Sequence, residues 1–279
     1  MAIDFDRGFT KRPWTTLVGD YPGADVYPTD SFRVEWGPVF HRGRLDGSAR
    51  LLIIGQDPAT HEAVCRRILV GEAGQRIQGL LNKLGIMTSY LMINAFLYSV
   101  YGQGGGTRHI GDAGITKYRN RWINAAVANN QLDAIVTLGG LAKTGVDDWV
   151  ANDPKGKVNT VPIVPIIHPT YPDSASASGS ITKAAAFKKL CTDWNAALTT
   201  LKPLVTPDEV RPLKLYGDTI TDEEKTVIPA VDLPPGLPRF MLESPKTWAA
   251  RLGETTDKKR GSITITIPKG FRDWPVIPG

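Results

Sequence analysis

Between residues 50 and 200 the chain alternates short, unbroken apolar runs with longer helix-like stretches. The runs are Leu51–Gly55, Tyr90–Asn94, Asp133–Gly139 and Val161–Ile167. None shows the in–out alternation of a strand with one wet face, so each reads as a strand buried on both sides. Helix-like stretches lie between them at Glu72–Leu84, Ile115–Asn129 and Leu141–Val150. A fourth, Ile181–Leu201, places Ala184, Phe187, Leu190, Trp194, Ala197 and Leu198 on one stripe. This pattern predicts an α/β fold, a three-layer α/β/α sandwich around a central four-stranded parallel sheet. In such sheets the chemistry collects just past the carboxyl ends of the strands.

Proline divides the chain in two. Ten prolines fall in residues 1–200 and eleven in residues 201–279. The first part is expected to be the α/β domain, with its motifs in about 50–200. The second is a proline-rich C-terminal extension in which only Ser262–Ile267 alternates like a strand. Cys65 and Cys191 are too few for a four-thiolate zinc or iron–sulfur site or a disulfide framework. The first residues lack the apolar stretch of a signal peptide, and no run approaches membrane-spanning length. A cytoplasmic, nucleoid-associated monomer with no membrane contact is the expectation. The net charge of +5 permits a polyanionic partner without demanding one.

Each strand end carries a polar or glycine feature. GQDPATHE (Gly55–Glu62) follows the first, Asn94 ends the second, Gly139–Gly140 follow the third, and His168-Pro169-Thr170 follow the fourth. Each has an ordinary reading: an Asp–Pro turn at Asp57, a cap at Asn94, close packing at the glycines, a structural histidine at His168. Four such features on one sheet are less ordinary. A metal-dependent hydrolase using Asp57, His61, His109 and His168 lacks HxH or HExxH spacing, so no metal is expected. GQGGG (Gly102–Gly106) is not the dinucleotide fingerprint, so no cofactor is expected either.

GQDP and HPT resemble the two signature motifs of the uracil-DNA glycosylase superfamily. ILVGEAGQRIQGLLNKLGI (Ile68–Ile86) resembles the segment after the first motif in its thermostable iron–sulfur branch. LMINAFL (Leu91–Leu97) resembles the strand that presents an asparagine to the base, and DAIVTLGGLAK (Asp133–Lys143) the glycine loop at a DNA phosphate. The resemblance implies a partner, single- or double-stranded DNA carrying uracil or another damaged base. It also implies a reaction: the nucleotide is flipped out and its N-glycosidic bond hydrolysed, leaving an abasic site. Asp57 would stand at the sugar and orient water, and His168 would donate to the base carbonyl. Asn94 would read the base edge, with Gln56 adding backbone contacts. Gly139, Gly140 and Lys143 would hold a phosphate. Thr170 and Tyr171 would touch DNA, Tyr171 either as a wedge or as part of a flexible surface loop. Gly104–Gly106 with Arg108 and His109 reads as a glycine-rich surface loop or a phosphate contact.

Three departures change the expectation. Ala59 stands where the GQDP branch has a tyrosine that blocks C5 of the base. Leu69 stands where the family stacks an aromatic ring. Two cysteines cannot hold the iron–sulfur cluster of the branch that the middle segment resembles. A monofunctional glycosylase tolerant of bases other than uracil follows. The alternative is a damaged-DNA-binding module without turnover, against which the retained Asp57 and His168 argue.

Overall fold

The computed structural model describes residues 9–152, 161–244, 246–255 and 261–271. Its main sheet contains β1 (Arg42–Gly43), β2 (Leu51–Gly55), β3 (Tyr90–Asn94), β4 (Ala134–Leu138) and β5 (Ile163–Ile166), in the order β1-β3-β2-β4-β5. Strands β2 to β5 are mutually parallel, and the four expected runs form them. The sheet is nonetheless mixed, because β1 pairs antiparallel with β3 at one edge. Two residues are too short to leave an apolar pattern, and β1 depends on close approach. Gly43 has φ +98, and a Cβ there would overlap the Tyr90 carbonyl.

Nine α-helices are present among the described residues: α1 (Trp14–Gly19), α2 (Thr60–Cys65), α3 (Glu72–Leu84), α4 (Gly102–His109), α5 (Ala113–Asn129), α6 (Gly140–Ala151), α7 (Tyr171–Ala177), α8 (Lys183–Leu201) and α9 (Arg239–Glu243). Alternate residues of each strand face opposite layers. Leu52, Ile54, Leu91, Ile93 and Ile135 pack with Trp14, Ile115, Trp122, Val146 and Trp149 of α1, α5 and α6. Leu51, Ile53, Met92, Val136 and Ile166 pack with Ile77, Leu81, Leu190, Trp194 and Leu198 of α3 and α8. Three layers result.

Two segments read from sequence as loops are helical. Residues 170–180 were expected to form a surface loop, yet Tyr171–Ala177 is α7. It starts with Pro172 near its N-terminus and Asp173 in its first turn, both favoured there. The buried Arg76 of α3 bonds the Pro169 carbonyl (2.5 Å) and Asp173 (3.1 Å), fixing that turn by a tertiary contact. The glycine-rich stretch before His109 is α4, where His109 Nδ1 meets Asp112 at 2.6 Å.

The extension is packed onto the domain. Asp208 accepts three backbone N–H bonds from Met87, Thr88 and Ser89 (2.6–3.1 Å). Asp232 meets Arg42 (3.1 Å) with both side chains wholly buried, and Arg44 at 2.8 Å. Ile228, Leu233, Phe240, Met241 and Trp248 form a third apolar cluster with Cys65 and Val70. The predicted strand at Ser262–Ile267 shrinks to β7 (Thr264–Ile265), which pairs with β6 (Ala249–Ala250).

Removing one partner of a buried ion pair strands a charge in the interior. Asp232→Ala is therefore expected to lower unfolding free energy by about 3–5 kcal/mol in urea melts. Replacing both Arg42 and Asp232 with apolar residues of similar volume is expected to recover most of that loss.

Candidate active site

The backbone ladder between β2 and β3 continues past the strand ends. Ala95 N–H donates to the Gly55 carbonyl and Phe96 N–H to the Gln56 carbonyl, each at 2.9 Å. This extension fixes the turn that carries Asp57. Its Oδ2 accepts a hydrogen bond from Val100 N–H at 3.0 Å. Burial pushes the Asp57 carboxyl up to about 6. Against that, the Val100 amide and the Gln56 side chain favour the ionised form, Glu62 opposes it, and Arg251 favours it.

His168 follows β5, held through its neighbours. Ile167 N–H donates to Asp193 at 2.7 Å, and Trp194 Nε1–H donates to the Ile167 carbonyl at 2.9 Å. Both anchors come from α8. Gly139, at φ +83, comes so close that a Cβ would lie 3.0 Å from His168 Cβ. Burial lowers the imidazole to about 4, so the ring is neutral near pH 7. Thr170 N–H points at Nδ1 (3.3 Å) and Thr170 Oγ1 lies 2.8 Å from it. With Nδ1 accepting, the proton sits on Nε2, which is left to donate elsewhere.

Leu69 lines the same cavity as these two groups. It is 7% exposed and adopts φ +54, a left-handed conformation unfavourable for a bulky side chain. The neighbours impose it. A Cβ on Gly74 would overlap the Leu69 carbonyl oxygen, so only glycine lets α3 pack there. Arg42 Nε–H holds the Ile68 carbonyl at 2.9 Å. Glu62 then ties the wall to the Asp57 turn, its two oxygens accepting from Val70 N–H (3.1 Å) and Ala59 N–H (3.0 Å).

These walls enclose a cavity of about 740 Å³. Gln56, Asp57, Ala59, Leu69, Gly139, Gly140, Lys143, His168, Thr170 and Tyr171 all line it. Asn94 does not line it, and neither do His61, Gly106, Arg108 or His109. Asn94 lies opposite Gly55 in the β2–β3 register, and its Oδ1 occupies the space that a Cβ on Gly55 would need. Its Nδ2 is buried with no hydrogen-bond partner among the described residues. An unpaired buried donor is costly unless something arrives to accept from it. Gly140 opens the twelve-residue helix α6, and a Cβ there would meet nothing within 4 Å, so its backbone is open to approach. Lys143 Nζ meets Asp147 at 2.6 Å. Tyr171 is half-buried, its ring against the α8 side and 5.5 Å from Lys189 Nζ.

Sequence reasoning overlooked Glu62, Asp193 and Arg76 as positioning groups. Glu62 had a faint signal, standing three residues after the helix-capping position Ala59 as in half of a capping box. Asp193 and Arg76 had none. His61, His109 and His168 do not converge: His61 faces Trp248 and His109 faces Asp112 and Ser31. No group of three metal-binding side chains forms among the described residues.

A family model described as the uracil DNA glycosylase superfamily matches residues 42–194, more than half of the chain. The chain belongs to the uracil DNA glycosylase superfamily. A search of the curated proteins finds no match. Membership of the uracil DNA glycosylase superfamily suggests DNA glycosylase activity on a DNA substrate. The matched span contains every cavity residue named above, together with Glu62, Arg76 and Asp193. It stops before the extension.

Glu62→Ala removes two charge-assisted bonds, each worth about 1.5–3 kcal/mol. The variant is expected to melt at lower temperature and to lose glycosylase rate through a displaced Leu69. Glu62→Gln keeps one acceptor and removes the charge that raises Asp57. Its acid limb should therefore move to lower pH in single-turnover rate profiles.

Proposed function

We propose that this protein removes uracil, and also larger deaminated or damaged bases, from DNA by hydrolysing the N-glycosidic bond. What carries the reading is the enclosure of Asp57 and His168 in one cavity, with Ala59 and Leu69 as walls in place of aromatic rings. A volume near 740 Å³ suits a flipped nucleotide with room around the base. Without a ring at position 59, substituents at C5 or a second fused ring meet no block.

The chemistry separates charge: the sugar becomes cationic and the base anionic. Asp57, held by Val100 N–H, orients the attacking water and balances the sugar's charge. His168, neutral with its proton on Nε2, donates to the base carbonyl oxygen as negative charge grows there. Asn94 reads the base once its side chain turns from Gly55 toward the cavity, offering Nδ2 to the O4 acceptor of uracil and Oδ1 to N3–H, a pattern that cytosine reverses. The open amide at Gly140 and the start of α6 receive a backbone phosphate, with Lys143 adding charge. Thr170 keeps the His168 ring in its tautomer, and Tyr171 borders the mouth where the strand enters.

Duplex oligonucleotides carrying uracil, hypoxanthine, xanthine or ethenocytosine test the reading directly, with alkali cleaving any abasic site formed. Cleavage of uracil and at least one other substrate is expected. No cleavage on any sinks the glycosylase reading, and cleavage of uracil alone sinks the tolerance. Asp57→Asn should cost at least about 100-fold in rate while retaining affinity for an abasic-analogue duplex. If rate persists, Asp57 has been misassigned.

The pH dependence follows from two opposite shifts. Asp57 works ionised, and its raised value puts the acid limb near pH 6. His168 stays neutral down to about 4, so it adds no limb above that. The same shift has a stability consequence. A carboxyl whose folded value is raised binds its proton more tightly when folded, so stability falls as pH rises from the unfolded value through about 6. Asp57→Asn should consequently melt higher than the parent above pH 6 and no higher below the unfolded value.

A further inference from the structure

The glycosylase reading accounts for a phosphate on the β4–α6 side of the cavity and leaves the β3 side without a contact. That side is bordered by residues following β3. Val100 N–H holds Asp57, and Tyr101 stacks beneath the guanidinium of Arg33, 3.9 Å from its ring centre. Trp36 lies 4.7 Å from the same guanidinium. The C-terminal extension, beyond the family-matched span, packs against the helix that follows the Asp57 turn.

Its approach is fixed by several contacts. Trp248 and Ala249 are each 2% exposed, within the cluster that includes Cys65 and Val70. Their backbone N–H groups both point at His61 Nε2, at 3.3 and 3.4 Å, and the Trp248 ring meets the His61 ring edge-on at 4.6 Å. β6 is also paired with β7. His61 lies four residues after Asp57, so the extension is anchored on the helix that follows the catalytic turn.

Arg251 is the first residue after β6 and is exposed. It makes no hydrogen bond or ion pair among the described residues. Its positive charge is felt at both Asp57 and Arg33, whereas burial alone shifts His168. Because Arg251 directly follows the strand docked on His61, it lies beside the helix that follows the Asp57 turn. Its charge disfavours that of Arg33, and with no carboxylate partner for Arg251 among the described residues an incoming anion meets an uncompensated guanidinium.

We propose that the C-terminal extension is part of the DNA-binding surface, its docked strand presenting Arg251 to a backbone phosphate beside the Asp57 turn, on the flank of the flipped nucleotide away from Gly140. The proposal rests on the glycosylase reading. Phosphates on both flanks of the nucleotide are then held, one by open backbone at the start of α6 and one by a guanidinium from the extension. Arg251 acts a second time through Asp57, whose ionised form its charge favours.

The test uses the full chain and a duplex with a tetrahydrofuran abasic analogue, titrated by fluorescence anisotropy over a range of salt concentrations. Arg251→Ala is expected to weaken binding severalfold and to reduce the slope of log affinity against log salt by about one. Arg251→Lys should restore most of the slope. Arg251→Ala should also move the acid limb of the uracil excision rate to higher pH. Unchanged affinity and slope in a protein that still excises uracil overturn this proposal alone. So does weaker binding with an unchanged slope. A parent protein that neither binds nor cleaves any damaged duplex overturns the glycosylase reading and this proposal with it.

Discussion

One buried guanidinium joins most of the parts that the site depends on. Arg42 lies on the antiparallel edge strand with its side chain wholly buried. A charge in that position is stable only if its donors are satisfied. Its Nε–H holds the Ile68 carbonyl, and its Nη1 reaches Gln78 of α3, Tyr90 of β3 and Asp232 of the extension. Edge strand, central sheet, helix α3, cavity wall and C-terminal segment thus share one set of hydrogen bonds. Leu69 can hold its left-handed conformation because the carbonyl just before it is fixed in this way. The extension cannot leave without stranding the charge.

Burial drives the cavity electrostatics in two directions at once. The same desolvation that raises Asp57 lowers His168, since each shift favours the neutral form. Asp57 then needs help to be ionised, and receives it from a backbone amide, from Gln56 and from Arg251. His168 needs no charge, because a neutral imidazole with its proton on the outer nitrogen is already a donor. The cost of burial is a carboxylate balanced near neutrality, which is why the distant groups Glu62 and Arg251 matter to it.

Continuous apolar runs made the parallel strands readable, and β2 and β3 lie where those runs end. Helix α3 spans Glu72–Leu84 as its periodicity implied. Strand β1 was unreadable because two residues have no period, and their pairing depends on the absence of a Cβ at Gly43. Helix α7 was unreadable for another reason: SASASGS has no apolar stripe, and its first turn is held by Arg76 from α3. Ten of eleven site residues converged because strand ends of one parallel sheet converge by construction. Asn94 shares that logic, yet its side chain lies across Gly55. The role of Glu62 was hidden because its partners are backbone amides, which no side-chain motif reports.

The extension shows most sharply what a local reading misses. Its prolines mark it as extended chain, and its near-balanced charge marks it as no basic arm. Both inferences concern the segment by itself. Its attachments are made to residues more than a hundred positions away: Asp208 to the turn before β3, Asp232 to Arg42, Trp248 to His61. Charge balance averaged over the segment also conceals placement, because Asp232 is consumed by a buried pair while Arg251 is left exposed near Asp57. A polyanion responds to the local field and not to the average. On the proposed reading, a chain with a net charge of only +5 holds DNA through backbone amides and a few well-placed cations, one of them contributed from outside the segment that defines the family.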